Sequence, residues 1–145
     1  MRKIALIGCS KRKLNDGKKH FAKDMYLGNN FKKAKNKGVQ KLNCEDHFYI
    51  LSGNYDYGLL DQDDEINYYD VYLGNQKESQ KILWAEKVLN QLNNKFGEDI
   101  KNICFVLFAG SSYTKHIKNK LNCVILKYNG RQITFDIKEE LHNAI

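Results

Sequence analysis

Proline is absent from the 145 residues, tryptophan occurs once, and none of the four cysteines stands in a Cys-x-x-Cys pair. Each absence excludes something. Unpaired Cys9, Cys44, Cys104 and Cys123 argue against a zinc knuckle and for a reducing, cytoplasmic setting. His20, His47, His116 and His142 have no metal-ligand spacing. There is no Walker-type Gly-x-x-x-x-Gly-Lys-Ser/Thr motif, and neither metal nor cofactor is expected. No apolar run reaches the ~18–20 residues of a membrane span, so no membrane partner is expected. The start, Met1-Arg2-Lys3-Ile4, leads into a short apolar run without the small-residue cleavage site of a signal peptide. No internal repeat or low-complexity linker is found. The missing proline, beside abundant Lys, Asn and Ile, reads as the codon bias of an AT-rich genome, so many lysines are solvated and are not ligands.

What is present fits one domain spanning residues 1–145, long enough to bury a core without a metal or disulfide. Apolar residues make up 42%, which excludes wholesale disorder. The net charge of +7 is unevenly spread: residues 1–44 hold 13 basic and 2 acidic residues, whereas residues 45–75 hold 8 acids and no Lys or Arg. A basic first third facing an acidic segment implies a polarised site in which the basic part steers an anion. For Phe31 to Lys41 the competing reading is a helix with a solvated lysine face.

Along the chain, Lys3-Ile4-Ala5-Leu6-Ile7, then Gly8, reads as a buried strand. Phe21 to Lys37 reads as one or two helical segments with a break near Gly28-Asn29-Asn30. His47 to Ser52 is a second strand, and Tyr55 to Leu73, aromatic and acidic without a clean period, is a long loop or a set of short turns. Glu78 to Phe96 has clear helical spacing closed by Gly97. Ile103 to Phe108 is a central strand, followed by a helix to about Leu121, a strand Cys123–Leu126, a turn at Asn129-Gly130 and a terminal helix over Ile137–Ile145. The alternation predicts an α/β domain of three layers, α/β/α, with a mainly parallel central sheet of about four strands. Ligands of such sheets bind beyond the carboxyl ends of the strands. Three strands here end in small polar residues: Gly8-Cys9-Ser10, Ser52-Gly53-Asn54 and Ala109-Gly110-Ser111-Ser112.

Four constellations gather around those ends. In Gly8-Cys9-Ser10-Lys11-Arg12-Lys13, glycine admits close backbone approach, Ser10 and neighbouring N–H groups can donate to phosphate oxygens, and the cations add charge. Met25 and Tyr26 before Gly28 form either a stacking wall for a base or plain helix packing. Tyr55 to Asp61, with Tyr68-Tyr69-Asp70, mixes rings that can stack on a base with carboxylates that can accept ribose hydroxyls or activate water. The competing reading is a tyrosine-rich loop packed on the sheet edge. Gly110-Ser111-Ser112-Tyr113 offers either an anion seat at a helix start or an ordinary cap. Cys9, with lysines nearby and His20 as a conceivable partner, is a weaker candidate nucleophile.

Taken in order, Ile7 to Lys13, Ala22 to Ala34, Ile50-Leu51-Ser52 with Tyr57 to Asp61, Tyr69-Asp70, Trp84-Ala85 and Ala109-Gly110 with Tyr113 resemble the DUF6884 family of uncharacterised bacterial and phage proteins, over about residues 3–130. The Cys-Ser-x-x-Lys segment is also similar to one in the core domain of archaeosine synthase, which acts on a 7-deazaguanine in transfer RNA. That likeness implies a uracil-DNA-glycosylase-like fold and a base-related ligand, although the Gly-Gln-Asp-Pro-Tyr motif of those glycosylases is missing here. The resemblance implies pocket residues Cys9, Ser10, Lys11, Lys13, Tyr26, Ser52, Gly58, Asp61, Asp70, Gly110 and Tyr113, to which the residue pattern adds Tyr69 and Ser111. The expected function is nucleotide- or nucleobase-directed chemistry, namely cleavage or exchange of an N-glycosidic bond, with Asp70 and secondarily Asp61 as catalytic carboxylates. The alternative is a non-catalytic accessory protein that sequesters nucleotide or nucleic acid. Oligomeric state is left open.

Overall fold

The computed structural model describes residues 1–126 and the backbone of two short strands at 128–129 and 132–133. In chain order the elements are β1 (Arg2–Gly8), β2 (His20–Phe21), α1 (Ala22–Met25), α2 (Asn29–Lys33), α3 (Val39–Lys41), β3 (Tyr49–Leu51), β4 (Leu59–Asp61), β5 (Glu65–Ile66), α4 (Glu78–Phe96), β6 (Ile103–Phe108), α5 (Ser111–Thr114), β7 (Cys123–Ile125), β8 (Tyr128–Asn129) and β9 (Gln132–Ile133). A π-helical turn, Ala34–Gly38, joins α2 to α3, and 3₁₀ turns at Leu73–Asn75 and Gly97–Asn102 flank α4.

The chain is mixed α/β with a five-stranded central sheet of order β4-β3-β1-β6-β7. β1 runs parallel to β3 and β6, and β6 runs parallel to β7; only the edge strand β4 is antiparallel. β1 and β6 lie in the middle, which explains why they are apolar on both faces: Ile4 to Ile7 and Ile103 to Phe108 are all buried. Alternation then splits them. Ala5, Ile7, Ile50, Val106 and Phe108 pack against Met25, Tyr26, Phe31, Ala34 and Val39, while Ile4, Leu6, Leu51, Phe105 and Leu107 pack against Trp84, Ala85, Val88, Leu89 and Leu92 of α4. The sheet is therefore covered on both faces.

Helix α4 forms where its apolar stripe predicts, and Gly97 ends it at φ 54°, a conformation that favours glycine. The break near Gly28-Asn29-Asn30 is real, but the following helical path runs on to Lys41 through the π turn.

Two expectations need correction. The sheet has a fifth strand, because the segment read as a long loop or a set of short turns from Tyr55 to Leu73 contains β4 and β5: Leu59-Leu60-Asp61 folds back on β3, and Glu65-Ile66 pairs with His20-Phe21. These strands are too short to show a period; β4 is held by β3, the strand just before it, and β5 by His20-Phe21, far away in sequence. The helix expected to reach Leu121 stops at Thr114 and continues as turns. The predicted terminal helix, and Gly130 of the predicted turn, lie outside the described residues.

Candidate functional site

Because β3, β1 and β6 are adjacent and parallel, their carboxyl ends share one sheet edge, with Gly8 opposite Leu51 and Ile7 opposite Phe108. The three following segments meet there. Gly8 lies close against the next strand end: a Cβ built on it would lie 3.1 Å from Cβ of Ala109, a tight contact. The Cys9 N–H continues the ladder onto the Leu51 carbonyl at 2.9 Å.

Cys9 occupies the centre. Its Sγ accepts the Gly53 N–H at 3.3 Å and lies 3.2 Å from the Tyr113 hydroxyl. Behind it runs a buried hydroxyl chain. The Asn54 N–H donates to Ser52 Oγ at 3.2 Å, Ser52 Oγ donates to the Tyr69 hydroxyl at 2.7 Å, and Tyr69 and Tyr26 share a hydrogen bond of 2.7 Å. Burial pushes all three phenols, Tyr26, Tyr69 and Tyr113, well above their ordinary value, so they remain neutral hydroxyls and none is a base. The Ser52 carbonyl takes the indole N–H of Trp84 at 2.6 Å, which fixes the start of α4 against this edge.

The basic loop is braced from within. Ser10 Oγ donates to the Arg12 carbonyl at 2.7 Å and accepts the Gly28 N–H at 3.0 Å. Its single hydroxyl proton is engaged there, so Ser10 braces the loop from within. Lys13 is the cation the loop delivers. Its main chain bridges to Tyr26, its Nζ donates to the Lys11 carbonyl at 3.2 Å, and the ammonium sits 4.6 Å from the centre of the Tyr69 ring. Partial burial lowers its pKa, opposed by the attraction of Cys9 and Asp70. Lys11 and Asp70 are exposed beside this pair. A half-buried ammonium with N–H groups left over is a seat for an anion arriving from solvent.

Several predicted residues lie together here: Cys9, Ser10, Lys11, Lys13, Tyr26, Ser52, Tyr69, Asp70, Gly110 and Tyr113. Others do not. Asp61 ends β4, which runs opposite to β3, so it pairs with Tyr49 at the beginning of β3. It binds His47 at 3.1 Å and lies 3.9 Å from Lys95 near the end of α4. Lys95 lies eleven helical steps beyond Trp84, which places Asp61 roughly 16 Å along the helix from the crevice. Gly58 touches the group only through its backbone: its carbonyl accepts the Ser52 N–H at 2.7 Å, in a turn with φ 60° where a side chain would run into Gln91. Gly110 caps α5, and Ser111 is exposed, but α5 has only four residues, too few aligned peptides for an anion seat. Tyr26 and Tyr69 are 1% and 8% exposed, so neither ring offers a face for stacking.

Sequence reasoning missed the roles of Gly53, Trp84 and the turn Leu73–Asn75. Gly53 and Trp84 border a hollow of about 310 Å³ just beyond Cys9, also lined by Tyr55, Leu73, Gln76 and Leu83. The usable signal was Trp84, the sole tryptophan, on an otherwise aliphatic helix stripe.

Among the described residues no cluster of His, Cys, Asp and Glu can hold a metal ion, and no helix is long and apolar enough to cross a membrane. Neither the curated proteins nor the solved structures contain a match to this chain. A family model does match, over residues 4–141, and the chain belongs to the family of unknown function DUF6884.

Proposed function

We propose that this sheet edge binds a nucleotide, or a nucleobase within nucleic acid, and that the protein cleaves or exchanges the N-glycosidic bond. The observation that carries the reading is Lys13, a half-buried cation with spare donors over the Tyr69 ring, whose charge is favoured by the neighbouring exposed carboxylate of Asp70. Lys13 and Lys11 hold phosphate. Asp70 stabilises positive charge developing on the sugar and takes a proton from the attacking water or incoming base; the bond to the nucleophile forms as the departing base leaves with the bonding electron pair and takes up a proton from solvent. Neutral phenols and the thiol of Cys9 line the floor. The likeness of Cys-Ser-x-x-Lys to the archaeosine synthase core, and the uracil-DNA-glycosylase-like architecture it implies, belong to this proposal.

A second reading, sequestration without chemistry, is favoured by one specific observation: Lys32, Lys33 and Lys37 extend an exposed basic face from the helix that starts beside the loop. The deciding experiment is Asp70→Asn with binding and turnover measured separately. Turnover should fall at least about a hundredfold with binding changed little. Unchanged turnover removes Asp70 from the chemistry. Binding that weakens steeply with salt, as expected for many phosphate contacts, points to a polymer ligand.

A further inference from the structure

We infer that the hollow beside Cys9 is the seat of a flat, neutral nucleobase, read along its edge by the carboxamide of Gln76; this rests on the nucleotide reading above. The hollow holds about 310 Å³ and is bordered by Gly53, Tyr55, Gln76, Gln80, Leu83 and Trp84. That volume lies at the small end of ligand pockets, room for one heterocycle and part of a sugar. Its walls are mainly apolar, yet they stand open: Leu83 and Tyr55 are each 52% exposed. Leucine and tyrosine side chains left this bare around one concavity form a surface that gains by covering.

The polar groups are few and specific. The indole N–H of Trp84 is spent on the Ser52 carbonyl. Gln80 Oε1 accepts the Lys77 N–H at 3.2 Å, which leaves its NH₂ as donor. Gln76 makes no side-chain hydrogen bond among the described residues, so it offers both a donor and an acceptor. A carboxamide with both roles open matches the adjacent donor and acceptor on the edge of a nucleobase, and does not match a phosphate or a carboxylate, which lack donors. The wall is also held in place: Lys87 Nζ donates to the carbonyls of Tyr55 and Asp56, at 2.6 and 2.9 Å. Gly53 joins the hollow to the cationic side, because its N–H donates to Cys9 Sγ. A base in the hollow thus leaves its sugar phosphate directed toward the Cys9 and Lys13 region.

The sole tryptophan, at the floor, makes the test direct. The full chain is titrated with the four common nucleoside monophosphates, ribose 5-phosphate and a short single-stranded oligonucleotide, following Trp84 emission and heat of binding. At least one base-bearing ligand should quench Trp84, and ribose 5-phosphate should bind at least about tenfold more weakly. Gln76→Leu should weaken the base-bearing ligand about tenfold or more and leave ribose 5-phosphate unchanged. Leu83→Asp, at an exposed position, should do the same. A preference for monophosphate or oligonucleotide tells a free nucleotide from a base in a strand. If base-bearing ligands bind but both variants and Trp84 emission are indifferent, the hollow is not the base seat, while the nucleotide reading stands. If no base-bearing ligand binds, both fail.

Discussion

Lys13 sets function against stability within one side chain. Its environment disfavours the charged form, so the folded protein binds fewer protons there than the unfolded chain between the lowered pKa and the ordinary 10.5. Stability from this group therefore rises with pH across that window and is lowest below it. Lys13→Met should be at least as stable as the natural protein at pH 7 in denaturant unfolding, and its advantage should shrink as pH approaches 10.5. The same variant should lose phosphate-ligand binding at least about tenfold. A Lys13→Met protein that is less stable at pH 7 would show that the contact with the Tyr69 ring outweighs desolvation. Cys44 offers a second readout. Burial pushes its thiol up to about 12, and Cys104 and Cys123 are raised for the same reason, so all three should alkylate slowly at neutral pH in the folded protein and rapidly once unfolded.

The loop after β1 and the segment before α2 work as a single element. A Cβ built on Gly28 would sit 2.5 Å from the Ser10 Cβ, so the two segments touch only because residue 28 has no side chain. Gly28 has an ordinary φ of −66°, and the requirement is proximity alone. Gly28→Ala should push Ser10 away, break its bond to the Gly28 N–H and cost about 1–3 kcal/mol, measured by thermal unfolding. Ligand binding through Lys13 should fall with it. Helix α4 is tied to the same edge by one hydrogen bond. Trp84→Phe keeps the apolar contact with Tyr113 but leaves the buried Ser52 carbonyl without its indole donor, and should cost about 1–3 kcal/mol.

Across the whole molecule, charge that looks like an excess is partly organised into ties between distant segments. Arg2 holds Glu45 at 2.7 Å, joining the start of β1 to the approach to β3, and Glu78 holds Lys115 and His116 at 3.0 and 2.6 Å, joining α4 to the segment after β6. Hydrogen bonds and opposite charge hold both carboxyls below their ordinary 4.5, and His20 does likewise for Asp16. A depressed carboxyl stabilises the fold above its unfolded value and loses that contribution as pH falls through its folded value. Acid unfolding should therefore steepen below about pH 4.5, and Glu78→Gln should flatten that limb when midpoints are compared between pH 7 and pH 3. These groups are exposed, so the effect should also shrink in high salt.

Much of this architecture is local and was readable along the chain. Buried strands declare themselves as continuous apolar runs, as at Ile4 to Ile7 and Ile103 to Phe108, and α4 declares itself by the spacing of Trp84, Ala85, Val88, Leu89 and Leu92. Small polar residues at three strand ends marked the edge where Cys9, Ser52 and Gly110 gather. What the chain could not disclose was decided by how its segments fold back on one another. The antiparallel return of β4 carries Asp61 to the wrong end of the sheet, burial against Phe31 and Tyr57 denies Tyr26 and Tyr69 a stacking face, and internal bracing consumes the Ser10 proton. A residue's type and spacing state which chemistry it can perform. Its register, its burial and the partners already holding its donors depend on how the chain folds back on itself, over spans from two residues to tens, and only packing in three dimensions determines them.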